Sequence, residues 1–207
     1  EKCTYKLIFI LAMVASLALS SCTEYSKLTK SDDMDLKYEK AFEYYEKGEY
    51  YKAATLLESV IPSFRGTEKG GKGLYTKAMA HFKNKEYLTA KSYFSGYCKG
   101  YPSGKYIEDA KFHIGYCYYL DSPDVKLDQE NTQKAIDELL EFSQTYPHSE
   151  KLPRVLDLLK EMREKLAEKE YLNAKLYYDL GDYMGNNYLS AIMTAGNALK
   201  KYPDTQY

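Results

Sequence analysis

The sequence predicts an all-α superhelix of stacked helical hairpins, and three observations carry that expectation. The first is an internal repetition. Ala41-Phe-Glu-Tyr-Tyr-Glu-Lys-Gly-Glu-Tyr50 and Ala174-Lys-Leu-Tyr-Tyr-Asp-Leu-Gly-Asp-Tyr183 share the pattern A-x-x-Y-Y-x-x-G-x-Y. Each reads as a helix, a tight turn at Gly48 or Gly181, and the start of a second helix. Repetition of such a unit is the signature of a solenoid. The second is a constant spacing: Ala90 to Pro102, Ala135 to Pro147 and Ala191 to Pro203 are each twelve residues apart. The third is composition. The 207 residues are 44% hydrophobic and 29% charged, with 24 Tyr and no Trp. That is ample material for a core. The formal net charge of -1 gives no global electrostatic reason to bind nucleic acid.

At the N-terminus, Lys2 and Lys6 flank the start of an apolar run, Leu7 to Leu19. Thirteen residues are too few to span a bilayer and suit a signal-peptide core. Leu19-Ser-Ser-Cys22 follows and resembles the bacterial lipobox, in which cleavage before the cysteine exposes it for lipid attachment. Residues 1–21 therefore read as a lipoprotein signal peptide and Cys22 as the lipidation site. The residue after it is Thr23, not Asp, which under the lipobox rules implies outer-membrane sorting. Several acyl chains hold a protein on a membrane without a spanning helix. Residues 22–35, polar from Glu24 to Asp35, read as a lipid-anchored tether, and residues 36–207 as the repeat domain.

The tetratricopeptide pattern asks for a small residue in the first helix, a turn residue, an aromatic, then Ala in the second helix and Pro after it. About four repeats are visible. Repeat one offers Ala41, Tyr44, Gly48, Tyr50, Ala53, Leu57 and Val60, with its Pro misplaced at 62. Gly66 to Gly73 reads as a Gly/Lys-rich linker. Repeat two offers Ala78, Tyr87, Ala90, Phe94 and Pro102, with Lys85 at the turn position. Repeat three offers Gly115, Tyr118, Ala135, Leu139 and Pro147, with an insertion from Asp121 to Asn131. Val155 to Lys169 is amphipathic, with Val155, Leu158, Leu159, Met162 and Leu166 on one stripe, and is expected to run on into Tyr171 and Ala174 as one long helix. Repeat four closes at Ala191 and Pro203, with a shorter insertion from Met184 to Tyr188. No polar capping helix follows, so the C-terminus reads as truncated.

Little in the chain points to chemistry. His81, His113 and His148 have no partners at metal-ligand spacing. Asp121, Asp124, Asp128 and Glu130 lack the central Gly and spacing of a calcium loop and read as a solvated loop. Gly70-Gly-Lys-Gly73 is not a phosphate loop. Cysteines stand at 3, 22, 98 and 117. Cys98 and Cys117 fall on helices expected to be neighbours, either as free buried thiols or, in an exported protein, as a disulfide. Neither an enzyme nor a metal or cofactor is expected.

The sharper expectation is aromatic. In this repeat, one face of each first helix lines a concave surface. Those positions are Tyr38, Phe42 and Tyr45 in repeat one, Tyr75, Met79 and Phe82 in repeat two, and Phe112, Tyr116 and Tyr119 in repeat three. Repeat four offers Tyr171 and Tyr178. Tyrosines pack on apolar groups while their hydroxyls bond a ligand backbone. A peptide-binding lining is thus weighed against rings that only pack helix on helix.

The lipobox, tether and repeats, with Tyr178 to Tyr183 in register, Lys99-Gly-Tyr-Pro-Ser103 and Lys200-Lys-Tyr-Pro-Asp-Thr205, together resemble the BamD family. These are lipoproteins of the outer-membrane β-barrel assembly machine. The resemblance implies a non-enzymatic, periplasm-facing, lipid-anchored scaffold on the outer membrane. Its implied partners are the periplasmic domains of BamA, other assembly-machine lipoproteins, and C-terminal segments of unfolded barrel proteins received by the N-terminal repeats. The family usually has a fifth repeat, not seen here. Two alternatives stand beside it. One is a glycan-binding surface lipoprotein on a similar scaffold, weakened by the absence of Trp. The other is a periplasmic cell-division repeat adaptor, weakened by the absence of sustained heptads.

Overall fold

The computed structural model describes residues 24–183 and 185–207. The expected signal peptide and Cys22 lie outside the described residues. Four hairpins follow one another: α1 (Met34–Glu46) with α2 (Tyr50–Val60), α3 (Glu68–Lys83) with α4 (Tyr87–Gly100), α5 (Ile107–Leu120) with α6 (Glu130–Thr145), and α7 (Leu152–Leu180) with α8 (Asn187–Lys201). A 3-10 turn, Ile61–Phe64, links the first two. Each helix packs on its sequence neighbours, so the hairpins stack in order, and no strand occurs among the described residues. This is the all-α tetratricopeptide-repeat superhelix that the repetition predicts.

The same backbone devices recur at equivalent positions. Gly48 closes α1 at φ +79°, and Gly181 closes α7 at φ +54°. Lys85 takes the left-handed conformation after α3, at φ +63°. The bonding pattern is shared: Gly48 N–H donates to Tyr45 O and Glu49 N–H to Tyr44 O, while Lys85 N–H donates to Phe82 O and Glu86 N–H to His81 O. A non-glycine residue there costs about 1 kcal/mol, which the paired bonds offset. At the other ends, Tyr101, Tyr146 and Tyr202 each precede a proline and share one conformation (φ -137°, -126° and -131°, ψ 60° to 63°). The proline ring bars its predecessor from helix and turns the chain out.

The core lies at the hairpin junctions. Ala53, Ala90 and Ala135 have no exposed surface, and Ala191 is also buried. Leu56, Leu57 and Val60 fill the first junction, Phe94, Tyr97 and Cys117 the second, and Leu139, Phe142, Val155, Leu158 and Met162 the third. As the stripe predicts, α7 is one 29-residue helix, about 43 Å long at 1.5 Å per residue. Its first half covers hairpin three and its second half pairs with α8. Among the described residues, no helix is long and apolar enough to cross a membrane.

Three expectations are corrected or refined. Residues 66–73 are not a linker. Thr67 caps α3, its Oγ1 accepting from Gly70 N–H at 3.1 Å, and Gly70, Gly71 and Gly73 are buried inside the helix. These glycines are close-approach residues: a Cβ on Gly71 would stand 3.1 Å from the Tyr101 ring, and one on Gly73 3.2 Å from Tyr38. Part of the segment read as a short tether over residues 22–35 is docked on the repeat domain. Residues 24–29 are helical, and Tyr25 and Leu28 pack on the first hairpin. The loop over 121–129 is docked, not merely solvated. Lys165 Nζ donates to Ser122 Oγ at 2.7 Å, Asn131 Nδ2 to Asp121 Oδ2 at 2.7 Å, and Gln129 is buried beneath it.

Candidate peptide-binding groove

Positions i, i+4 and i+7 share one helix face, and the structure places all three triplets on such faces. Depth differs among them. Tyr38 and Phe112 are only 8% exposed and belong to the core. Phe42, Tyr45, Tyr75, Met79, Phe82, Tyr116 and Tyr119 are half-buried, each packed against a core cluster with one side open. Rings of α3 and α5 meet directly: Phe82 and Tyr116 are 5.9 Å apart by centroid, Tyr116 and Phe112 5.3 Å, Tyr116 and Tyr119 5.8 Å. On α1, Tyr38 and Phe42 lie 4.9 Å apart. Among the described residues no ring pair joins α1 to α3. Tyr171 and Tyr178 lie far more open, on the second half of α7.

Several hydroxyls expected to serve a ligand are already engaged. Tyr38 donates to Lys69 O at 2.9 Å, Tyr119 to Glu161 Oε1 at 2.7 Å, and Tyr75 to Asp109. The Asp109 carboxylate also takes His113 Nδ1 and Lys151 Nζ, each at 3.0 Å. Burial disfavours its charge and is the largest single influence. The bonds from His113, Tyr75 and Lys151 together outweigh it and hold the carboxyl well below the usual range. Burial, and then the bond to Asp109, push the Tyr75 hydroxyl far up, so it stays a donor. This network ties α3, α5 and the turn before α7 together beneath the rings.

Between the start of α3, with Tyr38 of α1 against it, and the turn between α4 and α5, a cleft of about 440 Å³ opens. Tyr38 forms one wall; Tyr101 and Tyr106, from the turn between α4 and α5, form the other, and Gly71 lies at the floor. Tyr106 stacks on Tyr75 at 4.3 Å and 11°, which joins the cleft to the ring row. Three lysines surround it. Lys69 Nζ lies 4.2 Å from the Phe64 centroid and 4.6 Å from Tyr38, Lys72 4.7 Å from Phe42, and Lys105 5.8 Å from Tyr106. Ammonium groups over ring faces are held there by the ring quadrupole. Glu68 is the one carboxylate in the lining, and Asp35 pairs with Lys69. The cleft thus offers flat apolar walls and a cationic rim, the chemistry that seats an aromatic group next to a carboxylate. Sequence reasoning missed Lys69, Lys72, Lys105 and Tyr106. Thr67 followed by Glu68, a helix-start signal, could have placed the lysines on α3.

The other flagged residues serve packing. His113 lies between Phe82 and Phe94, 5.0 Å from each ring, and His81 stacks on Tyr93 at 5.0 Å, while His148 is exposed. Cys98 and Cys117 are free thiols. Burial raises Cys98 and pushes Cys117 up to about 12, which leaves both unreactive. No group of three or more metal-ligating side chains lies together among the described residues.

Comparison with known proteins places this architecture. The chain is 29% identical over 185 residues to a protein of Aquifex aeolicus (strain VF5) whose name assigns it provisionally to BamD, an outer membrane protein assembly factor. The match covers 86% of this chain and 58% of that relative, so the chain spans less than two thirds of its length. Residues 30–207, the whole of the four hairpins, match the YfiO family, described as outer membrane lipoprotein. The chain belongs to the YfiO family of outer membrane lipoproteins.

Proposed function

We propose that this chain is a lipid-anchored, non-enzymatic component of outer-membrane protein assembly that receives unfolded barrel-protein segments in the groove of hairpins one to three. The carrying observation is the cleft between the start of α3 with Tyr38 and the α4–α5 turn: tyrosine walls, a glycine floor and three lysines at the mouth, opening onto a row of half-buried rings. An extended segment ending in an aromatic residue suits it. The terminal carboxylate meets Lys69, Lys72 and Lys105, the last ring enters between Tyr38 and Tyr106, and preceding side chains rest on Met79, Phe82 and Tyr116. Cys22 is the lipidation site in this reading.

Delivery requires release, so affinity is of micromolar order, about -8 kcal/mol. The test titrates a fluorescent peptide ending in an aromatic residue with a free carboxylate. Phe82→Ala is expected to weaken binding by about 2 kcal/mol, roughly thirtyfold. Lys69→Gln combined with Lys72→Gln should weaken the acid and spare its C-terminal amide. Melting curves accompany each variant, because the rings also pack. Unchanged affinity in stable variants, or equal affinity for acid and amide, rules against the groove.

The same reading places the periplasmic domains of BamA on the exposed apolar face of α7 and α8, where Tyr178, Leu189, Ile192 and Met193 are open to solvent. Ile192→Asp should reduce co-purification of BamA from membranes severalfold with the fold intact. Full recovery sinks that placement.

A further inference from the structure

We infer that residues 24–29 are a docked strut that holds the first hairpin at a fixed height on the bilayer, with the α1–α2 turn facing the lipid headgroups. The inference rests on Cys22 being lipidated.

The observation is how the chain enters the domain. Residues 24–29 are helical. The Tyr25 ring stands edge-on to Tyr44 at 5.6 Å and 89°. Lys52 Nζ covers both rings, 5.5 Å from Tyr25 and 5.1 Å from Tyr44, and pairs with Glu49. Leu28 and Met34 pack on the same cluster, which is built on Tyr38, Ala41 and Leu57. The chain then reverses. Ser31 N–H donates to Leu28 O at 3.1 Å, Thr29 Oγ1 to Ser26 O at 3.0 Å, and Asp33 caps α1 by accepting from Leu36 N–H at 2.9 Å.

The direction follows from these contacts. Asp33 lies at the first turn of α1, whereas Tyr25 touches Tyr44 near its last turn. The segment therefore runs back along α1, and its N-terminal end points to the α1–α2 turn, where Glu46, Lys47 and Gly48 are exposed. Cys22 lies three residue steps before Tyr25. At roughly 3.5 Å each they span at most about 10 Å. A free tether over 22–35 would reach, fully extended, roughly 45 Å. Docking therefore changes the anchor from a leash to a strut.

The surface this presents is mixed in charge. At that end of the hairpin Lys27 and Lys47 are exposed, as are Glu24 and Glu46. The acyl chains supply the membrane affinity, and the lysines meet headgroup phosphates without dominating. The consequence lies in positioning: the groove of hairpins one to three would sit at a set distance from the leaflet on which barrel proteins insert.

The test uses the lipidated full chain in vesicles of phosphatidylethanolamine and phosphatidylglycerol carrying a headgroup nitroxide. The protein has no Trp, so Glu46→Trp reports on the turn and Leu199→Trp on α8, at the far end of the superhelix. Mass spectrometry of the N-terminal peptide establishes acylation first. The expected result is quenching severalfold stronger at position 46 than at 199. A ten-residue Gly-Ser insertion between Thr23 and Glu24 leaves the domain untouched and should abolish that contrast. Tyr25→Ala with Leu28→Ala should do the same. Tyr25→Phe should preserve it, because the Tyr25 hydroxyl is buried with no partner among the described residues. Equal quenching at 46 and 199 in acylated protein overturns the strut, as does a contrast that survives the insertion. An N-terminal peptide without acyl chains removes the lipidation reading, and the strut with it.

Discussion

Gly70→Ala is expected to destabilise the protein by about 3 kcal/mol, the upper end for overpacking. A Cβ built there would stand 2.1 Å from the Phe64 carbonyl oxygen and 2.8 Å from the Tyr101 hydroxyl. The first contact is with backbone, so no rotamer change relieves it. Either α3 moves off the 3-10 turn or that turn unwinds, and Gly66 N–H loses its bond to Tyr101 Oη. For a domain of this size the loss lowers Tm by roughly 6–12 °C. Gly96→Ala is the matched comparison. It lies exposed within α4 with no atom within 4 Å of its would-be Cβ, so the change is expected to stabilise by about 0.5–1 kcal/mol. Thermal melts of the two variants decide the point. A Gly70→Ala protein that melts like the parent would show that α3 does not begin at residue 68.

Asp109→Asn is expected to cost about 1–3 kcal/mol at pH 7, the range for removing one partner of buried, charge-assisted bonds. Amide replaces carboxylate where Tyr75, His113 and Lys151 all point donors. The sign of the pH dependence follows from the depressed pKa in the fold. Its stabilising contribution is present above the unfolded-state value of about 3.9 and is lost as pH falls through the lower folded value. The gap between parent and Asp109→Asn should therefore begin to narrow below about pH 4 and close only as pH falls through the lower folded value. Urea titrations at pH 7 and pH 3 measure it. A gap no smaller at pH 3 than at pH 7 contradicts the network as described.

What the sequence shows clearly is whatever repeats locally. The alanines at 53, 90, 135 and 191, the turns at 48, 85 and 181, and the long stripe of α7 all follow from periodicity and spacing. Depth is harder to read. The i, i+4, i+7 pattern puts Tyr38 and Phe42 on one face, yet only the fold shows that Tyr38 is buried under Phe64 while Phe42 stays half open. Glycine is ambiguous for a different reason. It serves turns and close packing alike, and Gly70 to Gly73 read as a linker until Phe64, Tyr101 and Tyr38 are seen lying against them. The cleft was invisible because its walls come from elements far apart in sequence. Tyr106 reaches Tyr75 across 31 positions, and Lys72 sits over Phe42 across 30.

The most direct test of the groove is where a bound peptide lies. A peptide ending in a photoreactive benzophenone analogue of phenylalanine, with a free carboxylate, is irradiated on the folded protein, and the adducts are mapped by mass spectrometry. The account predicts adducts confined to the cleft and its mouth, at Tyr38, Phe42, Lys72, Met79 and Tyr106, and suppressed by excess unlabelled peptide. Adducts spread over the surface, concentrated on α7 and α8, or indifferent to competitor would contradict it.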